Sequence, residues 1–175
     1  MATKHTMKKW VFAVVLVLTA LFPVSGSAQS KDALVGTWKL VSATETTKKG
    51  EVRAAYGWQN PAGLLTYTAD GRMMAITTNG RRKPLSVSDN IGAPAEERAE
   101  AFATMTDYAG SYTLNGNKVI HHIEVSSMPN AVNTDQVRLI INLKGNSLAL
   151  RTLTMANAGE QIAYREVVWE RISNK

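Results

Sequence analysis

Past residue 30 the chain alternates short apolar, β-branched segments with polar turn pairs. Asp70-Gly71, Asn115-Gly116, Gly145-Asn146 and Asn157-Ala158-Gly159 each separate two such segments. Asn-Gly and Asp-Gly supply the positive φ that tight hairpins need, so the spacing predicts an all-β barrel or sandwich. The strands fall at residues 37–44, 52–56, 64–68, 72–77, 111–114, 118–126, 136–143, 147–155 and 161–172. In the first of them Trp38, Leu40 and Ser42 share a face. An antiparallel sheet of about eight or nine strands closes on itself and leaves room for one small ligand.

One segment departs from this rhythm. From Ala95 to about Asp107, Ala95, Ala99, Phe102 and Met105 recur at helical spacing. Pro94 suits a first turn, and Glu96, Glu97 and Glu100 suit the positive end of a helix. The stripe is expected to pack as a plug on the end or flank of the sheet.

The N-terminus has the form of a cleaved signal peptide, residues 1–28, leaving residues 29–175 as a single domain. Lys4, Lys8 and Lys9 precede an apolar run from Trp10 to Val24, and Ser25-Gly26-Ser27-Ala28 supplies the small residues of a cleavage site. The run is shorter than the ~20 residues of a spanning helix, so no stable membrane insertion is expected after cleavage. The chain reads as exported, to a bacterial periplasm or outside the cell.

The net charge of +6 is halved in the mature chain, because three of the 20 Lys and Arg residues leave with the leader and no acidic residue does. The remaining charges are interspersed, and the one basic block, Arg81-Arg82-Lys83, reads as a solvated loop; no nucleic-acid partner is expected. With no cysteine, stability rests on packing alone in any redox compartment. Charged residues on alternate strand faces and few aromatics argue against an outer-membrane barrel. No nucleophile elbow, phosphate loop, zinc-protease or dinucleotide motif is present.

Ordered blocks along the chain carry a family likeness. Leu34-Val35-Gly36-Thr37-Trp38-Lys39-Leu40-Val41 opens it, followed by Asn60 to Met73 with Thr66-Tyr67-Thr68-Ala69-Asp70-Gly71 at its centre. Tyr108-Ala109-Gly110-Ser111-Tyr112 with Val119-Ile120-His121-His122 comes third, and Pro129-Asn130, Asp135-Gln136-Val137-Arg138 and Leu148-Ala149-Leu150 fourth; Trp169-Glu170-Arg171 closes the set. The sequence resembles the bacterial and fungal lipocalin-like domain family. That resemblance implies a closed calycin-type barrel, and a fold that hosts both carriers and enzymes. It also implies that Arg171, from the last strand, lies over Trp38 of the first and seals one end, a structural role.

Candidate chemistry centres on His121 and His122. Neighbours on a strand point to opposite faces. His121 shares its face with Val119, Ile123 and Val125, the more apolar face, and is assigned inward. Two rings on opposite faces cannot reach one ion, and the chain past the leader has no other histidine, so no metal is expected, and no cofactor either. His121 can be a satisfied core residue, a ligand contact, or a general acid/base with Tyr67, Tyr112 or Arg138 as partner. Tyr56, Asn60, Tyr67, Tyr108 and Tyr112 are the further mouth or lumen candidates. Arg138 is ambiguous: alternation with Val137, Leu139 and Ile141 puts it outside, the family match implies a constrained role, and an inward arginine would select a carboxylate or phosphate.

The expected function is that of an exported, monomeric binding protein for a small, largely apolar molecule. A cofactor-free isomerase, cyclase or hydratase using His121 is the alternative, and a filled-core envelope accessory or interaction protein the second. Binding is favoured over catalysis.

Overall fold

The computed structural model describes residues 30–89, 91–157 and 160–172, and of 153–157, 160 and 161 the backbone only. The signal peptide and the end of the Asn157-Ala158-Gly159 turn lie outside the described residues. After the short helix α1 (Lys31–Leu34) come strands β1 (Gly36–Thr47), β2 (Val52–Ala54), β3 (Ala62–Tyr67) and β4 (Arg72–Thr78). Helix α2 (Ala95–Ala103) separates these from β5 (Met105–Asn115), β6 (Lys118–Val125), β7 (Asp135–Lys144), β8 (Ser147–Asn157) and β9 (Glu160–Arg171).

Every pairing is antiparallel, and β9 returns to pair with β1, so eight strands close a barrel. The ninth, β2, is an extra strand on the far half of β1: Thr44–Thr46 pairs with β2, whereas Gly36–Lys39 pairs with β3. The hairpin glycines Gly71, Gly116 and Gly145 take positive φ (91°, 61° and 56°), as the turn pairs require.

Two local expectations are corrected. The helix stops at Ala103, because the Thr104 hydroxyl donates back to the Glu100 carbonyl (2.7 Å) and residues 105–111 join the ladder against β4. Met105 is therefore a strand residue, and Phe102 is half exposed; α2 buries no side chain and is not a plug. In β1 the pairing with β9 shifts between Leu40 and Ser42. That bulge takes Val41 as its extra residue, still outward, and passes the inner face to Ala43, Glu45 and Thr47 in place of Ser42.

The barrel is solid at one end. Leu34, Trp38, Leu65, Tyr67, Tyr112, Val119 and Leu148 are all buried there in one cluster. Trp38 donates its indole N–H to the Leu34 carbonyl (2.9 Å), tying α1 over the floor. The Arg171 guanidinium lies 4.0 Å from the Trp38 ring centroid and donates to the carbonyls of Val35 and Ala33 (2.6 Å to the latter). The register explains the contact: Trp38 and Arg171 are cross-strand partners, so both side chains project to the same face.

Candidate functional site

Above the packed floor the lumen opens into a cavity of about 100 Å³, several times the ~10–15 Å³ that a single water needs. Its walls are mostly apolar, with Leu40, Ala75, Leu150 and Val167 among them. The segment from Ala55 to Pro61 lies across the mouth. Tyr56 and Trp58 stack there with centroids 4.7 Å apart.

His121 forms the base of the cavity. It is 1% exposed and lies between two phenols: Tyr67 Oη is 2.7 Å from Nε2 and Tyr108 Oη is 3.1 Å from Nδ1. Burial pushes the imidazole well below its usual range, and the charges of Arg138 and His122 push the same way. Burial likewise raises the Tyr67 phenol well above its usual range. The ring is therefore neutral, with one N–H and one bare nitrogen.

The protein decides which is which. Tyr67 is 1% exposed and its hydroxyl has no other partner among the described residues. If it accepted from Nε2–H, its own proton would be buried without an acceptor, so Tyr67 donates to Nε2. Nδ1 then carries the proton and donates to Tyr108 Oη. That leaves the Tyr108 O–H to donate elsewhere, and Tyr108 lines the cavity.

Arg138 also faces the lumen, against the simple alternation of β7. Cross-strand partners share a face, and β6 pairs His121 with Gln136 and Val119 with Arg138. With His121 and Val119 inside, Gln136 and Arg138 must be inside too, and Val137 and Ile141 are left exposed. A bulge between Ile140 and Asn142 turns Leu143 back inward. Arg138 donates to Gln136 Oε1 (3.4 Å) and the Val137 carbonyl (3.2 Å), and meets no carboxylate among the described residues.

Of the sequence candidates, His121, Tyr108, Tyr56 and Arg138 line the cavity. Tyr67 supports His121 from behind. Tyr112 belongs to the floor, where its hydroxyl donates to the Thr68 carbonyl (3.0 Å). Asn60 is exposed on the rim in a left-handed conformation (φ 50°) and does not line the cavity. His122 points outward between Asp135 (2.7 Å) and Thr113 (3.0 Å). Among the described residues no group of His, Cys, Asp or Glu could hold a metal ion, and no helix is long and apolar enough to cross a membrane.

Sequence reasoning passed over four residues. Trp169 lines the cavity, is 5% exposed, and its Nε1 has no partner among the described residues. Its place two positions from Arg171 on β9 was available as a signal. Trp58 was equally available, two positions after Tyr56. Arg165 and Glu45 form a buried ion pair (3.0 Å) at the mouth, both side chains 4% exposed. Burial raises the Glu45 carboxyl, but hydrogen bonds from Arg165 and Arg53 outweigh it and hold the group below the usual carboxylate range. Arg165 also lies 3.7 Å over the Tyr56 ring. Tyr56 takes φ 57°, a conformation uncommon for a bulky residue, so these contacts fix the loop against its own preference.

A search among curated proteins finds no match. Among solved structures, an uncharacterized protein from Bacteroides eggerthii DSM 20697 aligns over 79% of this chain and 99% of its own. It has 11% identity and a TM-score of 0.41, too remote to carry an argument. The family model for the lipocalin-like domain matches residues 35–172, from the end of α1 to the last described residue. That span takes in all nine strands, the sealed floor and the cavity, and the chain belongs to the lipocalin-like domain family.

Proposed function

We propose that this is an exported, monomeric binding protein that holds one small, largely apolar molecule in the barrel lumen. The observation that carries the reading is the half-filled barrel: a packed floor below, and above it an apolar-walled cavity with a polar cluster at its base. A wall of this kind supplies affinity by burial, while a few fixed polar groups orient the guest. His121 supports that role by holding the Tyr108 hydroxyl at the cavity wall. Binding is favoured over turnover because both ring nitrogens of His121 are already engaged and burial keeps the ring neutral, which suits a positioning group better than a proton carrier.

The test uses protein produced with its own leader and purified as processed. Uptake of the neutral fluorophore 1-aminoanthracene should quench Trp58 and Trp169 by energy transfer. Ala75→Leu, which extends a wall residue into the cavity, should weaken uptake at least fivefold. Folded protein that takes up no fluorophore would refute the reading, and so would uptake indifferent to Ala75→Leu.

A further inference from the structure

The polar groups around the cavity are unequal in what they offer a guest. The tautomer imposed by Tyr67 leaves the Tyr108 hydroxyl as a donor at the cavity wall. The indole N–H of Trp169, which also lines the cavity, is buried without an acceptor among the described residues. Arg138 carries donors only, and its partners are a side-chain amide oxygen and a backbone carbonyl. Thr77 and Thr106 answer each other at 2.7 Å. An aqueous cavity has no need of this bias, and a purely apolar guest would leave buried donors unmet, at a penalty for each.

The charge count narrows the guest further. Among the described residues, no Asp or Glu lines the cavity. Arg165 is answered by Glu45 directly behind it. Arg138 has no such answer among the described residues, so the lumen carries one positive charge beyond balance. That charge already bears on both Tyr67 and His121. A single negative charge compensates it, whereas a phosphate dianion would leave an excess of the opposite sign in a desolvated space. The planar guanidinium fork also matches a carboxylate in geometry.

We propose that the lumen is built for a small monocarboxylate, its apolar body against Leu40, Ala75 and Leu150 and its carboxylate oxygens taken by Arg138 and the Tyr108 hydroxyl. The Trp169 N–H supplies a further donor within the same cavity. The inference rests on the lumenal-binding reading above and adds the chemical class of the guest.

The test compares three guests with one body: 4-phenylbutyrate, 4-phenyl-1-butanol and 4-phenylbutyl phosphate, each titrated against bound 1-aminoanthracene at pH 7.5. The acid should bind at least tenfold more tightly than the alcohol. In Arg138→Gln the ratio of acid to alcohol affinity should fall to near one, and Arg138→Lys should restore part of it. Tyr108→Phe should lower the same ratio several-fold. Because each ratio is measured within one variant, a general loss of affinity does not imitate the effect, and circular dichroism checks that each variant is folded. Equal affinity for acid and alcohol, a preference that survives Arg138→Gln, or tighter binding of the phosphate would overturn the proposal and leave the container reading standing. Failure of the fluorophore to enter at all would remove both.

Discussion

The tautomer of His121 can be tested as a question of stability. Removing the Tyr67 hydroxyl with Tyr67→Phe leaves Nε2 as a buried acceptor with nothing to donate to it, on a ring 1% exposed. A buried group stranded in this way costs roughly 1–3 kcal/mol. Removing the Tyr108 hydroxyl instead strands Nδ1–H at the edge of the cavity, where a water can accept it, and the cost should stay below about 1 kcal/mol. For a domain of this size each 1 kcal/mol moves the melting temperature by roughly 2–4 °C, so the two variants should separate in urea and thermal unfolding. The pH dependence supplies an independent arm. The folded ring resists protonation, so the unfolded chain binds the extra proton. Stability should therefore be full above the ordinary histidine value of 6.5 and fall as pH drops below it. The slope should approach about 1.4 kcal/mol per pH unit. Arg138 and His122 are the charges that act on the ring, and both act in the same direction as burial. Subtracting the curve of His121→Gln isolates this ring from His122 and from the carboxylates. A nitrogen-15 spectrum showing the proton on Nε2, or a Tyr108→Phe cost equal to that of Tyr67→Phe, would refute the assignment.

Two further outcomes follow from the mouth and from the sheet. Glu45→Ala removes the buried carboxylate that both Arg165 and Arg53 bond and loosens the Tyr56 loop, and urea unfolding should show a loss of about 3–5 kcal/mol, the range for breaking a buried pair from one side. Gly110 sits at the shift in register between β5 and β6, where an added Cβ would fall against the His122 carbonyl oxygen. Because that atom is backbone, Gly110→Ala should cost at least about 2 kcal/mol and raise amide exchange along β6, and an unchanged melting curve would contradict the packing.

Much of the architecture was legible because it rests on local rules. Turn pairs such as Asp70-Gly71 and Asn115-Gly116 located hairpins, and period-two alternation placed His121 on the face it shares with Val119. What alternation cannot see is a bulge. The shift at Val41 brings Glu45 inside, and nothing in the order of residues 37–47 announces it. Arg138 stayed ambiguous for a related reason. Its face is dictated by the register against β6, a long-range property, while the greasier residues of its own strand argue locally for the opposite choice. The helix was overextended because Met105 continues the spacing of Ala95, Ala99 and Phe102. Pairing of Met105 with Thr78 in the neighbouring strand overrides that local preference.

The seam between β1 and β9 has a bearing on how the molecule comes to exist. Trp38 and Arg171 lie far apart along the chain, in the first strand and the last of the barrel, yet they are direct neighbours in the ladder. Such distant pairing is slow to form, since the intervening loop entropy is lost before any contact compensates it. The cylinder cannot shut until β9 has been made, and a fragment ending before β9 would leave the interior lining bare to solvent. The same proximity means that residue 172 could be joined to residue 30 by a short linker and new ends cut at an exposed hairpin such as Asn115-Gly116, giving a rearranged protein with the same cavity.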